Sequence, residues 1–343
     1  MKNAGFKTKF AALLIGLALG AGVVLAQSLD IPSKRWGLSF GNSKEFTGLR
    51  FNFRDSRVNY VDGVNITLWQ PRQDNEESVI TGLSFGTIPG GGRLRGVQIG
   101  LLGIAGAHSI TGVSLAGLGM GAGDDLVGIN IAGVGMGSGK NLEGFNIAGI
   151  GLGAGENLSG VNLAGLGMGA GKDVEGINVA GLGLGASREM VGINIAGLGA
   201  GAGKNMTGLN IAGIGLGAGE NLSGLNIAGL GLGAGKILSG LTVAGLAAGS
   251  EEIRGLTIAG GAVGGKTLKG LQVAGGMVHV TRDGSLYGCA VSPFNYIRGS
   301  QTGVTFGIVN YAWTVKGVQL GLVNIVRDNP AGLKVLPVFN TSF

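Results

Sequence analysis

The chain has 343 residues, of which 75 are glycine, 13% are charged and 45% are hydrophobic, and its mean hydropathy is +0.40. So much glycine argues against an all-helical protein, because each glycine inside a helix costs about 1 kcal/mol relative to alanine. The apolar fraction excludes a highly charged, disordered chain. Glycine at every second residue of the densest stretches, with only six prolines, excludes collagen. The composition therefore predicts an apolar, glycine-rich β protein.

The first 26 residues have the form of a secretory signal peptide. Three lysines precede an apolar run over residues 10–26, and Val24 and Ala26 stand at the −3 and −1 positions of a cleavage site. An uncleaved membrane helix is the alternative, because the length of the run is near the lower limit for a span. Removal of the three lysines would lower the formal net charge from +6 to about +3. We therefore predict export, and the small remaining charge gives little support to nucleic-acid binding.

Repeats organise the rest of the chain. Eight units of sixteen residues run over 112–239, and GLNIAGIGLGAGENLS at 208–223 is representative. Repeat positions 1, 6, 8 and 10 are always glycine, and position 12 is glycine in every unit but one. Looser units extend the pattern in both directions, and terminal repeats are expected to cap such an array. The predicted organisation is a signal peptide over 1–26, divergent N-terminal repeats forming a cap over 27–111, an array of 15–16-residue repeats over 112–285, and divergent C-terminal repeats forming a cap over 286–343.

The apolar positions predict two short strands and two corners in each unit. The periodicity predicts bends at 212–213 and 219–221, which would turn positions 2, 4, 7, 9 and 15 toward the interior. In the unit that begins at Gly208, the residues predicted to be interior are Leu209, Ile211, Ile214, Leu216 and Leu222. This pattern predicts an all-β fold, a 16-residue-repeat β-solenoid with divergent capping ends.

Two columns of polar residues indicate how the coils stack. If successive coils are parallel, equivalent residues lie about 4.8 Å apart. Position 13 then holds charges that mostly alternate in sign from one coil to the next, from Asp124 to Lys236. Position 3 is asparagine in seven units and predicts a ladder of side-chain amides. The predicted structural ladder consists of Asn130, Asn146, Asn162, Asn178, Asn194, Asn210 and Asn226.

An outer-membrane β-barrel of about twenty short strands is the alternative fold. A signal peptide, alternating residues at 49–54 and a C-terminal Phe343 are typical of such barrels. Barrel walls carry aromatic girdles, however, and Phe145 is the only aromatic residue over 112–239. The turns are also uniform in length, whereas barrels alternate short and long loops. The solenoid is therefore the favoured fold.

Several units resemble a known family of bacterial surface repeats. Gly-Val-Gln-Leu-Gly-Leu-Val-Asn at 317–324, Gly-Val-Gln-Ile-Gly-Leu-Leu at 96–102 and Gly-Val-Asn-Ile-Thr-Leu-Trp at 63–69 look like the Gly-Val-Gln-Leu-Gly-Leu-Val-Asn units of that cell-envelope family. Its members are exported and largely uncharacterised. The central units depart from the family pattern by being richer in glycine and alanine. The resemblance implies a location in the cell envelope and supplies no catalytic residues.

No catalytic, cofactor-binding or metal-binding site is predicted. His108 and His279 are isolated in the sequence, and a single cysteine, Cys289, cannot form a metal cluster or an internal disulfide. We therefore expect a non-enzymatic protein without a cofactor. The first alternative function is that of an outer-membrane barrel, as a pore or another envelope protein, and the second is an enzyme with a site in the terminal regions around Trp36, Tyr60 or Trp69.

The expected function is a structural or adhesive role at the bacterial surface. Glycines at positions 8, 10 and 12 are predicted to point outward and to form a smooth strip that another backbone can approach closely. Close-packing at tight corners explains the same glycines equally well. The expected partners are a second copy or another envelope component, with no nucleic acid and with membrane association left open. The expected location is the envelope or outer-membrane surface of a Gram-negative-type bacterium.

Overall fold

The computed structural model describes residues 28–342, which fall into two compact units, one ending at Gly149 and the other beginning at Ile150. The predicted signal peptide, residues 1–26, and Phe343 lie outside the described residues. Over 28–342 the chain forms 28 β-strands and one short 3-10 helix, Gln73–Asn75. Within the same residues, no helix has the length and apolar character needed to traverse a lipid bilayer. The prediction of an all-β fold is confirmed.

The first unit contains strands β1 to β11. Their bounds are β1 Leu29–Pro32, β2 Trp36–Phe40, β3 Glu45–Asn52, β4 Tyr60–Thr67, β5 Val79–Gly86, β6 Gly90–Gly100, β7 Gly103–Ala116, β8 Gly119–Ala122, β9 Asp125–Ala132, β10 Gly135–Ser138 and β11 Asn141–Ala148. From β2 onward the long strands pair in parallel with the next long strand, as in β3 with β4 and β9 with β11.

The second unit contains strands β12 to β28. The regular coils comprise β12 Gly151–Ala154, β13 Asn157–Ala164, β14 Gly167–Ala170, β15 Val174–Ala180, β16 Gly183–Ala186, β17 Glu189–Ala196, β18 Gly199–Ala202, β19 Asn205–Ala212, β20 Gly215–Ala218, β21 Asn221–Ala228, β22 Gly231–Ala234 and β23 Ile237–Ala244. The remaining strands are β24 Ala247–Ala259, β25 Ala262–Ala274, β26 Met277–Val291, β27 Phe294–Val326 and β28 Val335–Asn340.

Each regular coil has one strand of seven or eight residues and one of four. β19 is followed by a turn at 213–214, then by β20 and a second turn at 219–220. β19 pairs in parallel with β21, and β20 pairs with β22, so that each residue lies beside the residue sixteen positions further on. This pairing confirms the predicted 16-residue β-solenoid. The alternative fold, in which neighbouring strands would run antiparallel around a barrel, is not adopted.

The interior of a coil differs from the one that the sequence predicts. Leu216 and Leu222 are buried as predicted, whereas Leu209 and Ile211 are only half-buried and Ile214 is exposed. The interior positions are instead 15, 3, 5, 9 and 11, represented by Met206, Asn210, Ala212, Leu216 and Ala218. The prediction for positions 2, 4 and 7 was wrong because it treated asparagine as an outward-facing residue. A buried amide costs little when its hydrogen bonds are made, and position 3 makes them within the interior.

Each unit has one reversed strand at an edge of its sheet. β1 pairs antiparallel with β2, and β28 pairs antiparallel with the last part of β27. Both reversed strands carry a proline, Pro32 in β1 and Pro337 in β28. Because proline has no N–H to donate, it opposes the addition of a further strand at such an edge.

Candidate interaction surface

Glycines form a smooth outward strip on the short strands of the second unit. Strands β12, β14, β16, β18, β20 and β22 pair in parallel with glycine beside glycine at positions 8 and 10. A Cβ atom added to Gly153, Gly185 or Gly217 would meet no atom within 4 Å, so these positions face open space. We call this surface the glycine strip, and it comprises Gly151, Gly153, Gly167, Gly169, Gly183, Gly185, Gly199, Gly201, Gly215, Gly217, Gly231 and Gly233.

The third glycine column does not belong to this surface. A Cβ atom on Gly219, at repeat position 12, would lie 2.0 Å from the carbonyl oxygen of Gly203 in the preceding coil. Gly171, Gly203 and Gly235 have the same close approach to a carbonyl oxygen. Position 12 therefore lies at a tight turn that favours glycine, although one unit carries Ser187 there, and a Cβ at this position would point toward the preceding coil and not outward as predicted. The glycines at positions 8 and 10 thus form an outward surface, whereas those at position 12 allow a tight corner.

An exposed column of aliphatic side chains borders the glycine strip. Position 7 immediately precedes position 8, which is a strip glycine in every coil but the last, where Ala247 follows Leu246, and the residues at position 7 are between 46% and 57% exposed. We call this set the aliphatic column, and its members are Ile150, Leu166, Leu182, Leu198, Ile214, Leu230 and Leu246. No charged residue occurs at positions 1 to 12 of the units over 150–239, so the strip and the column form an uncharged surface. Uncharged, exposed surfaces of this kind mark sites of association.

Charged residues occupy a separate edge of the coils. Lys172 Nζ lies 2.7 Å from Glu156 Oε2, and Lys236 Nζ lies 2.9 Å from Glu220 Oε2, one coil apart in each case. The hydrogen bond from Lys236 holds the pKa of Glu220 below its usual value. These pairs confirm the register that the charges at position 13 predict. Exposed pairs contribute little to stability, so their main consequence is to confine charge to this edge.

The predicted asparagine ladder lies in the interior, and every one of its seven side chains is fully buried. Within the first unit, Asn130 Nδ2 donates to Asn146 Oδ1 at 2.8 Å. Within the second unit the chain of bonds runs from Asn162 through Asn178, Asn194 and Asn210 to Asn226, with distances of 2.9 to 3.0 Å. The ladder therefore has a structural position and is not accessible to a partner.

Sequence reasoning missed a second ladder near the C-terminus. Asn295 Nδ2 donates to Asn310 Oδ1, and Asn310 Nδ2 donates to Asn324 Oδ1, at 2.7 Å each. These residues are buried at the position where earlier coils carry Val278 and Val263. The signal was present in the spacing of these asparagines and in the terminal asparagine of Gly-Val-Gln-Leu-Gly-Leu-Val-Asn.

The glycine strip ends at a group of aromatic side chains on the same face. In the parallel pairing of successive coils, Gly233 lies beside Gly249, which lies beside Gly264. His279 occupies the same position in the next coil, and Tyr296 occupies it in the coil after that. Glycine at position 10 is thus replaced by large rings. We call this group the aromatic patch, and it comprises His279, Phe294, Tyr296, Tyr311 and Trp313 together with the guanidinium groups of Arg298 and Arg327.

The other candidate residues are not brought together. His108 Nδ1 lies 3.2 Å from Asp124 Oδ2 on the charged edge of the first unit, and burial raises the pKa of the Cys289 thiol. Trp36, Tyr60 and Trp69 are exposed, and none of them lines the open polar depression of about 670 Å³ near the start of the first unit. Among residues 28–342, no three His, Cys, Asp or Glu side chains are placed to hold a metal ion.

Comparisons with known proteins identify no relative of this chain. No family model matches the chain, and no curated protein or solved structure is significantly similar to it.

Proposed function

We propose that this chain is a non-enzymatic, exported repeat protein of the bacterial cell envelope, with a structural or adhesive role. The observation that carries the proposal is the uncharged surface of the second unit, in which the glycine strip and the aliphatic column run side by side through consecutive coils. The proposed partner is a second copy of the chain or another envelope component that covers this surface.

Physical chemistry supports association there. Each member of the aliphatic column leaves about half of its side chain in water, and covering that half is favourable by about 1 kcal/mol. The neighbouring glycines carry no Cβ, so a partner backbone approaches closely and covers both columns at once. The repeat of about 4.8 Å between coils means that the same small contact recurs many times. Export is supported by the sequence of residues 1–26, and the envelope location is supported by the resemblance of the units at 63–69, 96–102 and 317–324 to bacterial surface repeats.

Substitutions in the glycine strip test this proposal. We expect Gly153→Thr, Gly185→Thr and Gly217→Thr together to leave the coils folded, because the added atoms enter open space and threonine favours strands. The added side chains hold a partner backbone away from the surface. Sedimentation velocity of the mature protein, extracted with and without detergent, should give a smaller particle for the triple variant than for the wild type.

The matched control places threonine on the charged edge. Glu175 is exposed at position 16 of a coil in the same unit, and Glu175→Thr should leave the particle size unchanged. Retention of the exported protein on the cell surface is measured in parallel for both variants. An unchanged particle size together with unchanged surface retention in the triple variant contradicts association through the glycine strip.

A further inference from the structure

The aromatic patch is a ligand-sized surface that the proposed association does not use. Tyr296 lies at its centre, with ring centroids 5.5 Å from His279, 5.5 Å from Phe294 and 5.0 Å from Tyr311. Phe294 is 37% exposed and Trp313 is 53% exposed, so part of each ring remains in contact with water. Such a cluster of exposed rings at one place on a surface is typical of a binding site.

Two guanidinium groups lie over these rings. The Arg298 guanidinium is 5.9 Å from the centroid of Tyr296, and the Arg327 guanidinium is 5.9 Å from the centroid of Trp313. Within residues 28–342, neither side chain forms an ion pair or a side-chain hydrogen bond. Stacking on a ring orients a guanidinium while leaving its N–H groups available, and those groups match a carboxylate in geometry and charge.

His279 supplies a further polar group. Burial and the nearby Arg298 both lower the pKa of His279, so its ring is neutral at neutral pH. Its Nδ1 atom is buried and has no hydrogen-bond partner among the described residues. From Met277 to Arg327 the one carboxylate is Asp283, in the irregular segment between Val280 and Ser285, and Asp328 follows Arg327 directly; neither forms an ion pair with Arg298 or Arg327. The patch therefore combines ring faces, positive charge and an unused polar atom.

We propose that the aromatic patch binds an acidic saccharide chain. The face of a pyranose ring presents C–H groups, which the negative face of an aromatic ring attracts. Trp313 and Phe294 supply the exposed aromatic surface, and Arg298 and Arg327 pair with the sugar carboxylates. A chain longer than the patch continues over Gly264 and Gly249, where no side chain obstructs it.

Charge distribution favours a saccharide over single-stranded nucleic acid. Nucleic-acid binding combines stacking with a groove of cations that follows the phosphates. Only two guanidinium groups stand over the rings, and the glycine strip that extends from the patch has no cation at positions 8 and 10. A phosphate on every nucleotide would therefore find no partner beyond the patch, whereas a saccharide in which only the sugars over the patch carry carboxylates would place its neutral sugars on the uncharged glycines.

Isothermal titration of the full mature chain tests this site with three probes. The probes are hexagalacturonate, neutral maltohexaose and an oligothymidylate. We expect hexagalacturonate to bind at least about tenfold more tightly than maltohexaose, and its affinity to fall as salt is raised because ion pairs are screened. Loss of one stacked ring in Trp313→Ala should weaken binding about tenfold, and Arg298→Gln with Arg327→Gln should remove the preference for the acidic probe.

Matched controls use an exposed tryptophan and an exposed arginine elsewhere. Trp36→Ala and Arg95→Gln in the first unit should leave the affinity for hexagalacturonate unchanged. The strip variant Gly185→Thr with Gly217→Thr should also bind normally, which separates this site from the proposed association. The proposal is overturned by failure of hexagalacturonate to bind, by binding that survives both patch variants, or by tighter binding of the oligothymidylate.

Discussion

Asn194 Nδ2 donates a hydrogen bond of 2.9 Å to Asn210 Oδ1, and both side chains are fully buried. Asn194 Oδ1 in turn accepts from Asn178 at 3.0 Å. Asn194 therefore donates to the next coil and accepts from the preceding one, whereas Asn226 Nδ2, at the end of the ladder, has no partner among the described residues. Because both groups are satisfied only by equivalent residues, the ladder fixes the register of the coils as well as contributing to their stability.

Asn194→Leu should destabilise the second unit strongly. The substitution leaves the Asn178 donor and the Asn210 acceptor buried without partners, at a cost of about 1–3 kcal/mol each. We expect a clear fall in the guanidinium midpoint and faster hydrogen exchange in β17 and β19. Asn205→Ala is the control, because Asn205 belongs to a more exposed pair with Asn221 at 2.8 Å. Equal destabilisation by the two substitutions would contradict a special role for the buried ladder.

The coil length, its two corners and the register between coils could be predicted from the sequence, because glycine and charge recur at fixed positions. The orientation of the strand faces could not. In the coil that begins at Gly208, alternation alone is equally compatible with Leu209 and Ile211 inside or with Asn210 and Ala212 inside. Hydrophobicity favours the first arrangement. The second is adopted because each asparagine has an identical neighbour with which to form hydrogen bonds.

The glycine strip could be predicted from the sequence, whereas the aliphatic column and the aromatic patch could not, because the orientation of the strand faces and the register between coils were not known. The glycines of positions 8 and 10 were correctly expected outside, whereas the aliphatic column was expected inside with Ile214 as an example. The aromatic patch required knowledge of the register between coils. His279 and Tyr296 are seventeen residues apart, and a shift in pairing between Val280 and Ser285 restores their alignment. No fixed repeat length predicts this alignment.

Two glycines of one coil should respond in opposite ways to alanine. Gly208 has φ +118°, and a Cβ there would lie 2.1 Å from the carbonyl oxygen of Gly192, so Gly208→Ala must displace backbone and cost about 2 kcal/mol or more. Gly217 faces open space, so Gly217→Ala should stabilise the strand by about 0.5–1 kcal/mol. Thermal unfolding of both variants measures the difference. A similar loss in both would show that the strip glycines also have a packing role.

The effects on stability of substituting Arg50 and Asp55, which form a buried ion pair in the first unit, should depend strongly on each other. Arg50 Nη1 lies 2.6 Å from Asp55 Oδ1, and the side chains are 0% and 2% exposed. Asp55→Asn leaves the guanidinium buried without its countercharge and should cost about 3–5 kcal/mol. Arg50→Asn combined with Asp55→Asn removes both charges and places asparagine at the ladder position. We expect the double variant to unfold at a higher denaturant concentration than Asp55→Asn, and the reverse order would contradict the coupling.

Acid should weaken the second unit through Glu252. Hydrogen bonds from Arg254 and Lys269, at 2.9 and 2.7 Å, lower the pKa of Glu252 from 4.5 to about 2. A carboxylate whose pKa is lower in the folded state stabilises that state above its ordinary pKa. The contribution is complete above pH 4.5 and is lost as the pH falls toward about 2.

Glu252→Gln tests this dependence, because the substitution removes the titrating group and keeps the shape of the side chain. The difference in melting temperature between wild type and Glu252→Gln should be positive at pH 6 and should shrink steadily toward pH 2. Because the pair is partly exposed, 1 M salt should reduce the difference at pH 6. Glu175→Gln is the control, since Glu175 is exposed at the equivalent edge and makes no ion pair within the described residues. A difference that is independent of pH would contradict the assignment to Glu252.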